Sequence, residues 1–350
     1  MSALPLTSTA LETRVVNCVA APWYEDFSHA LIDECLQSGV AVVGASSHEI
    51  WDDTLESMEN LQQVKAVARS HGRAYVLERR SDLDNPANRE RVGVLMGFQN
   101  PKPFSDSLHF LEAFIDMGLR CVSLGFKENS YFGCGFSSPV DTGLTPLGRQ
   151  AVATLNRRGC LIDLSHGGDR TSMEAVELSE HPVVFSHSTS RSWIERSEPD
   201  RKMVHGVNFS AVRRAAPDDL IRAAASKGGV ICPDARTSSA SDFIDQVDYL
   251  VQMVGPQHVG VAAQDDWHRS EKDSRRIQPY LPGYGSQAGK ARREFGSDYR
   301  IYRLEGTIGP RLLYPENLRE ELRRRGYDAH AIAGILGGNL LRVLSQVLPD

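Results

Sequence analysis

The chain has 350 residues, of which 41% are hydrophobic and 24% charged, a composition typical of a globular protein with one large core. Its formal net charge of -6 offers no cationic field to a phosphate backbone, which excludes nucleic acid as an expected partner. No apolar run is long enough to cross a bilayer and no basic start precedes an apolar segment, so we expect neither a membrane span nor an export signal.

Six cysteines are spread along the chain without the Cys-x-x-Cys spacing of metal and redox motifs. In a chain of this length, scattered cysteines are typical of free thiols in a reducing compartment. We therefore expect a cytoplasmic protein. The cysteines are Cys18, Cys35, Cys121, Cys134, Cys160 and Cys232.

Short runs rich in β-branched residues alternate with longer amphipathic stretches, which is the pattern of repeated βα units. A further run, Ala74–Glu78, lies between the second and third units, and we assign it to an accessory element. The eight predicted strands of the main sheet are Val15–Ala20, Val40–Ala45, Val92–Gln99, Arg120–Phe126, Leu161–His166, Val183–His187, Gly229–Asp234 and His258–Gln264.

The predicted helices between these strands have recognisable ends. Thr145 and Pro146 form an N-cap and a first helical position, and Gly159 ends the same helix just before the next strand. Ser241 and Gly255 bracket the helix before the last strand in the same way. Because each parallel strand needs a crossover helix, this order predicts a (β/α)₈ TIM barrel, with a doubly wound open sheet as the alternative.

The pattern indicates one barrel domain over residues 1–350. Residues from about 265 to 313 are rich in Arg, Gly, Ser and Tyr and have little periodicity. We expect them to form an irregular excursion over the barrel mouth. Terminal helices are predicted over residues from about 316 to 347.

Two of the predicted strands end in histidine. The segment LIDLSH ends at His166, and the segment VVFSH ends at His187, 21 residues later. Because that separation is about one βα unit, adjacent strands should present the two imidazoles side by side at their carboxyl ends, where barrel chemistry is located. A single histidine in such a place is more often a hydrogen-bonded structural residue, whereas two in register favour a functional site.

The run GLTPLGRQAVATLNRRGCLIDLSH, ending at His166, and the run HPVVFSHSTSR, ending at Arg191, resemble the signature of the membrane (renal) dipeptidases. Weaker agreement covers most of the remaining chain, for example VGVLMGFQN ending at Asn100. The resemblance implies a barrel of the metal-dependent-hydrolase, amidohydrolase-like architecture. It also implies two zinc ions with a bridging hydroxide, hydrolysis of dipeptides and a homodimer.

The metal ligands implied by the resemblance are only partly present. His166 and His187 match the histidines that the family has on its fifth and sixth strands. Gln99 stands at the place of the bridging glutamate of the third strand, and Gln264 stands at the place of the aspartate of the eighth strand. An amide offers one acceptor oxygen and a donor group that repels a cation, so neither glutamine replaces a carboxylate.

The first strand also departs from the family pattern, which has a His-x-Asp pair there. Aligning the chain on Pro22 puts Cys18 and Ala20 at these positions. Aligning it on the preceding valines puts Val19 and Ala21 there instead. Both alignments remove the histidine and the carboxylate.

Charge balance limits what such a site can hold. Two dications about 3.5 Å apart repel each other by about 19 kcal/mol at an effective dielectric constant near 20. The family offsets this repulsion with three carboxylates and a hydroxide, whereas the aligned positions here carry none of those carboxylates. We therefore expect either no metal or a single zinc ion on His166 and His187. Candidates for its third ligand are Cys18, Gln99, Asp266 and His268.

Further candidates concern the substrate. Arg214 matches the family arginine that receives the terminal carboxylate of the substrate, and a guanidinium binds a carboxylate bidentately. Phe126 stands where the family has a histidine that contacts the reaction intermediate. Asn129 and Tyr131 lie on the loop after the fourth strand and are candidates for the pocket lining. Together with Gln99 and Gln264 these residues form the predicted substrate-binding set.

The run DDWH after the eighth predicted strand contains the acid–base candidates Asp265, Asp266 and His268. A carboxylate beside a histidine can serve as a general acid–base pair. A charged run that leads into a loop is more often solvated, so both interpretations stay open.

Three functional hypotheses follow from these observations. The first is a divergent hydrolase that cleaves a dipeptide-like or other amide-containing small molecule with at most one metal ion. The second is a metal-free enzyme that uses the dipeptide pocket for another reaction, with a histidine as general acid or base. The third is a pseudo-dipeptidase that binds a peptide-like ligand without turnover. We favour a catalytic role, because two histidines and an arginine persist at the pocket.

Overall fold

The chain is described by a computed structural model covering residues 15–23, 27–48, 52–126, 129–197, 214–233, 240–261 and 315–350. Within these ranges the side chains are described except for residues 18–23, 197, 240–242 and 315–317.

The described strands form one parallel sheet in the order β1-β2-β4-β5-β6-β7-β8. An isolated parallel bridge from Ile231 to Val259 continues the sheet at the place of the last predicted strand. The order advances in one direction without a reversal, so the protein is a (β/α)₈ barrel rather than a doubly wound open sheet. The strands are β1 (Val15–Trp23), β2 (Val40–Ser46), β3 (Ala74–Val76), β4 (Val92–Phe98), β5 (Cys121–Ser123), β6 (Leu161–Asp163), β7 (Val184–Phe185) and β8 (Val230–Ile231).

The accessory strand β3 and the barrel strand β5 both pair with the same edge of β4. It pairs with the first half of β4, from Ala74 opposite Val92 to Val76 opposite Val94. The second half of the same edge pairs with β5, where Gly97 is opposite Cys121. The prediction of an accessory run outside the eight barrel strands is therefore confirmed.

The strands around the predicted histidines are shorter than the sequence pattern suggested. β6 ends at Asp163 rather than at His166, and β7 ends at Phe185 rather than at His187. Beyond these ends, the backbone N–H groups of Ser165 and Ser186 donate to the Asp163 carboxylate, each at 3.1 Å. A side chain thus replaces the sheet ladder as the acceptor, which the alternation of residue types could not reveal.

The helices lie between the strands, and their ends follow local chemistry. The helix Pro146–Arg158 begins with a proline, the Thr145 hydroxyl accepts from the Gly148 N–H at 3.0 Å, and Gly159 ends the helix with a left-handed φ of 65°. The described α-helices are α1 (His29–Gln37), α2 (Thr54–Ser70), α3 (Arg80–Asp84), α4 (Leu108–Asp116), α5 (Pro146–Arg158), α6 (Asp169–Leu178), α7 (Arg191–Ser197), α8 (Asp218–Ser226), α9 (Ala240–Val254), α10 (Pro315–Arg324), α11 (Ala329–Ala333) and α12 (Asn339–Val347). Within the described ranges, no helix combines the length and apolarity that a bilayer crossing requires.

Apolar residues form two buried layers on opposite faces of the sheet. Val43 and Met96 belong to the outer layer, between the strands and the helices. Val42, Leu95 and Leu161 belong to the inner layer. Successive side chains of a strand point to opposite faces, so each strand supplies both layers.

The C-terminal helix completes the inner layer. Leu340, Val343 and Leu344 of α12 pack with inward residues near the starts of the strands, such as Val16 and Val184. The helix therefore covers the amino-terminal end of the barrel with apolar side chains. Polar residues, including His166 and His187, lie at the carboxyl ends of the strands.

Candidate functional site

The candidate site is built on the segments that follow β6 and β7. Each strand is followed by a Ser-His pair, and His166 and His187 are both buried. Their Nε2 atoms lie 2.9 Å apart, and their rings meet edge to face with centroids 4.7 Å apart. The predicted convergence of the two imidazoles is therefore present in the structure.

A hydrogen-bonded chain links these histidines to two other strands. Gln99, directly after β4, places its Oε1 atom 3.1 Å from His166 Nε2. Its Nε2 group donates to the hydroxyl of Ser46, at the end of β2, at 2.7 Å. This series of hydrogen bonds crosses the barrel mouth from β7 to β2 and places Gln99 beside the imidazoles.

The series of hydrogen bonds continues from the other side of the His187 ring into the barrel. The Ser186 hydroxyl lies 2.8 Å from His187 Nδ1 and 2.5 Å from the Oδ2 atom of Asp163. The Oδ1 atom of Asp163 accepts from the Ser165 hydroxyl at 2.6 Å and from two backbone N–H groups. Asp163 and Ser186 were not among the residues predicted from the sequence. The available signals were an aspartate inside a buried strand and the repeated Ser-His pair.

Burial keeps both imidazoles neutral. It lowers the pKa of His166 well below its usual value, and the positive charge of Arg214 lowers it further. The pKa of His187 is lowered by burial first, then by His166 and by Arg214. Two neutral rings can share a hydrogen bond only if one Nε2 donates and the other accepts.

Aromatic rings cover one side of His166. The Phe126 ring lies 4.6 Å from the imidazole centroid, and the Phe136 ring lies 6.1 Å from it. The Phe136 N–H donates to the carbonyl oxygens of both Phe126 and His166, at 3.0 and 3.1 Å. The loop after β5 is therefore held against the loop after β6, and Phe126 contacts the His166 ring.

The other predicted residues differ in exposure, and several of them lie outside the residues with described side chains. Arg214 is half-buried, and its carbonyl oxygen accepts from the Ser188 hydroxyl, one residue beyond His187, at 3.4 Å. Asn129 and Tyr131 are exposed on the loop after β5, where the Ser138 hydroxyl donates to the Asn129 side chain. The remaining predicted residues, Gln264, Asp265, Asp266 and His268, and the side chain of Cys18, lie outside what the structure describes.

Two of the buried cysteines, Cys35 and Cys160, add no nucleophile to the site. Burial raises the pKa of Cys35 and of Cys160 to about 12, so both thiols are protonated at neutral pH. A protonated thiol is a poor nucleophile and a poor metal ligand. Both side chains belong to the outer apolar layer.

The donors described at the barrel mouth centre on His166, His187 and Gln99. Among the residues with described side chains, no three His, Cys, Asp or Glu residues are grouped so that they could hold a metal ion. The central donors are two neutral imidazoles and an amide oxygen, which offset no positive charge. The Asp163 carboxylate already accepts four hydrogen bonds from the chain itself. His166 Nδ1, by contrast, is buried without a hydrogen-bond partner among the described atoms.

Comparison with protein families matches residues 39–269 to the model described as membrane dipeptidase, peptidase family M19. Dipeptidase 3 of Mus musculus is 26% identical over 302 residues, which cover 82% of this chain and 51% of the relative. Dipeptidase aclJ of Aspergillus oryzae is 24% identical over 269 residues, which cover 73% of this chain and 52% of the relative. The chain thus spans about half the length of these relatives.

Solved structures share the fold over nearly the whole chain. An amidohydrolase from Pseudomonas aeruginosa superposes with a TM-score of 0.72 at 20% identity and covers 98% of this chain and 99% of its own. A metallo peptidase from Rhodobacter sphaeroides, liganded with a phosphinate mimic of the dipeptide L-Ala-D-Ala, has a TM-score of 0.66 at 17% identity, with 95% and 99% covered. At these identities the likeness shows the fold alone.

Proposed function

The chain belongs to the membrane dipeptidase family, and from this premise we propose that it is a divergent dipeptidase-like hydrolase. Its proposed substrate is a dipeptide-like or other amide-containing small molecule. The observation that carries the proposal is the buried pair of imidazoles, His166 and His187, whose Nε2 atoms face each other at 2.9 Å at the carboxyl ends of β6 and β7.

Arg214 supports a substrate with a free carboxylate. Its charge acts on both imidazoles, as the lowered pKa values of His166 and His187 indicate. A guanidinium beside neutral imidazoles is suited to bind an anionic group next to the reacting amide. A dipeptide carries such a carboxylate one residue away from its peptide bond.

The imidazole pair supplies groups that can accept and donate a proton. A neutral imidazole has one donor and one acceptor nitrogen, so the pair can move a proton at the Nε2 atoms without a charged resting state. Phe126 and Phe136 limit the access of water to His166 on one side. The exclusion of water strengthens electrostatic interactions with the substrate.

We infer that at most one zinc ion belongs to this site. His166 and His187 would hold it, because imidazole nitrogen is a good zinc donor. When bound, zinc lowers the pKa of a water ligand toward neutrality. The third ligand stays a prediction among Cys18, Gln99, Asp266 and His268.

The acid–base roles of Asp265, Asp266 and His268 also stay predictions, as do the cytoplasmic location and the homodimer. Light scattering on the purified chain measures its mass in solution. A mass of twice 38.7 kDa would support the dimer.

The decisive experiment combines elemental analysis with a hydrolysis assay. Protein purified without added metal or a metal-binding tag is incubated with a panel of dipeptides. One zinc per chain, with turnover that a chelator abolishes, supports the proposal. His166→Gln and His187→Gln should each lower kcat/KM by at least about 100-fold, while His109→Gln, at an exposed position, should leave it unchanged.

Other outcomes contradict the proposal and identify its alternatives. Turnover that survives chelation would indicate a metal-free enzyme. Saturable binding of a dipeptide without turnover would indicate a pseudo-dipeptidase. Two tightly bound ions per chain would contradict the single-metal inference.

A further inference from the structure

The buried Asp163 carboxylate lies behind the imidazole pair, and the Ser186 hydroxyl connects it to the His187 ring. Asp163 is 4% exposed. Two backbone N–H groups and two hydroxyl groups converge on its oxygens. All four groups donate, so both carboxylate oxygens of Asp163 act as acceptors.

The position of each hydrogen follows from this starting point. The single hydrogen of the Ser186 hydroxyl is donated to Asp163 Oδ2. The Ser186 oxygen can then only accept from His187 Nδ1, 2.8 Å away, so that nitrogen carries the hydrogen. His187 Nε2 is left with a lone pair that faces His166.

The hydrogen of the Ser165 hydroxyl can be placed in the same way. The Ser165 hydroxyl donates to Asp163 Oδ1 at 2.6 Å, and its oxygen accepts from the backbone N–H of His187 at 3.1 Å. The carboxylate therefore orients the backbone of His187 through one serine and the ring of His187 through the other. The two hydroxyl oxygens also lie 3.1 Å apart, but each hydroxyl donates its hydrogen to Asp163.

We propose that Asp163 is a positioning residue that acts through the Ser186 hydroxyl to hold His187 in the tautomer with its hydrogen on Nδ1. This tautomer sets the direction of the central hydrogen bond. His166 Nε2 must donate, and His187 Nε2 and Gln99 Oε1 are its acceptors at 2.9 and 3.1 Å. The same tautomer leaves His187 Nε2 available as a base or as a metal ligand.

The two imidazoles consequently have different surroundings. His187 is oriented at both ring nitrogens, whereas His166 Nδ1 is buried with no hydrogen-bond partner among the described atoms. With its hydrogen on Nε2, His166 presents an unpaired acceptor at Nδ1. Only the part that concerns turnover rests on the proposed function, since the tautomer exists without substrate.

The test reads the tautomer directly. Protein labelled with ¹⁵N-histidine and purified without added metal is studied by long-range ¹H–¹⁵N correlation at neutral pH, and the His187 signals are assigned from their loss in His187→Gln. We expect a protonated Nδ1 and an unprotonated Nε2. Ser186→Ala should remove the preference for Nδ1, and Ser186→Thr, which keeps a hydroxyl, should retain it.

Asp163→Asn should reverse the tautomer of His187. Its amide N–H₂ would donate to Ser186, whose hydrogen would then turn to His187 Nδ1, so the hydrogen of His187 should move to Nε2. Ser123→Ala is the matched control, because Ser123 is also buried but donates to the backbone carbonyl of Asp163 instead of its carboxylate. Thermal unfolding identifies any variant that fails to fold.

The second measurement is the rate of hydrolysis by the same variants. Ser186→Ala should lower kcat by about 10–100-fold with little change in KM, as expected when the support of a site histidine is removed, and Ser186→Thr should restore most of it. A hydrogen on Nε2 of His187 in the unmodified chain, or a Ser186→Ala spectrum identical to it, would overturn the proposal. Absence of hydrolysis together with the expected spectra would reject the proposed function and leave the tautomer assignment intact.

Discussion

The two ends of the barrel are equally well buried but are built from different chemistry. The amino-terminal end is filled by apolar side chains, with α12 as its cover. The carboxyl end holds a hydrogen-bonded chain from Asp163 through His187 and His166 to Gln99. In β6 a single residue, Ile162, separates these regions, since Leu161 belongs to the apolar layer and Asp163, two positions later, points to the same interior.

The difference shows how burial can serve stability in one place and orientation in another. Apolar contacts are non-directional, so the amino-terminal layer tolerates changes that conserve volume. Hydrogen bonds at the carboxyl end are directional, and leaving a buried donor there unpaired costs about 1–3 kcal/mol. We therefore expect substitutions at the two ends to differ in what they change as well as in how much.

The largest effect is expected at the apolar end. Leu344→Ala removes a fully buried side chain of α12 and should lower the free energy of unfolding by about 2–5 kcal/mol. Urea denaturation measures this loss, with the exposed Gln346→Ala as control. The tautomer of His187 should not change, and a changed tautomer would show that the two ends are coupled.

The next effect concerns recognition at the polar end. Arg214→Ala should raise KM for dipeptides with a free carboxylate by roughly 10–100-fold, since hydrogen bonds to charged groups contribute about 1.5–3 kcal/mol. The same dipeptides with an amidated C-terminus serve as the control and should show a much smaller change. Equal losses for both kinds of substrate would argue against a carboxylate-binding role.

The polar end should also determine how stability depends on pH. Burial chiefly, with a contribution from Lys102, lowers the pKa of His48 to about 3. Because the unfolded chain protonates this histidine near pH 6.5 and the folded chain does not, stability falls as the pH drops below that value. The expected loss from pH 7 to pH 5 is roughly 2 kcal/mol for this one group.

Urea denaturation at the two pH values tests this expectation. His48→Phe, which keeps a ring against Phe98, should lose less stability than the unmodified chain by that amount, with His109→Gln as the exposed control. His166 and His187 contribute with the same sign, so a part of the pH dependence should persist. An unchanged slope in His48→Phe would contradict the assignment.

The smallest expected effect is an increase in the affinity for a metal ion. Gln99→Glu places a carboxylate beside His166 Nε2 and should increase the affinity for Zn²⁺ by about tenfold, or about 1.4 kcal/mol. Competition with a chromophoric chelator measures the affinity, and Gln62→Glu, at an exposed position, is the matched control. Unchanged affinity would indicate that Gln99 does not limit metal binding.

Much of the site could be predicted because strand ends converge in a parallel barrel. The spacing of His166 and His187 sufficed to place them side by side, and the position of Gln99 after its strand placed it near them. Asp163 was missed because a lone aspartate in a buried strand has no periodic signal. Its importance depends on Ser186, which belongs to the next strand and is 23 residues away.

The sequence by itself determined the rhythm of strands and helices and the carboxyl-end positions of the two histidines, and it is the source of the expectation that carboxylates of the family pattern are replaced. These features are local, because they depend on side-chain periodicity, helix caps and residue identity. Only the tertiary structure decided that α12 covers the amino-terminal end and that Asp163 reaches Ser186. Both depend on contacts between distant segments and on the register of neighbouring strands, which no local pattern specifies.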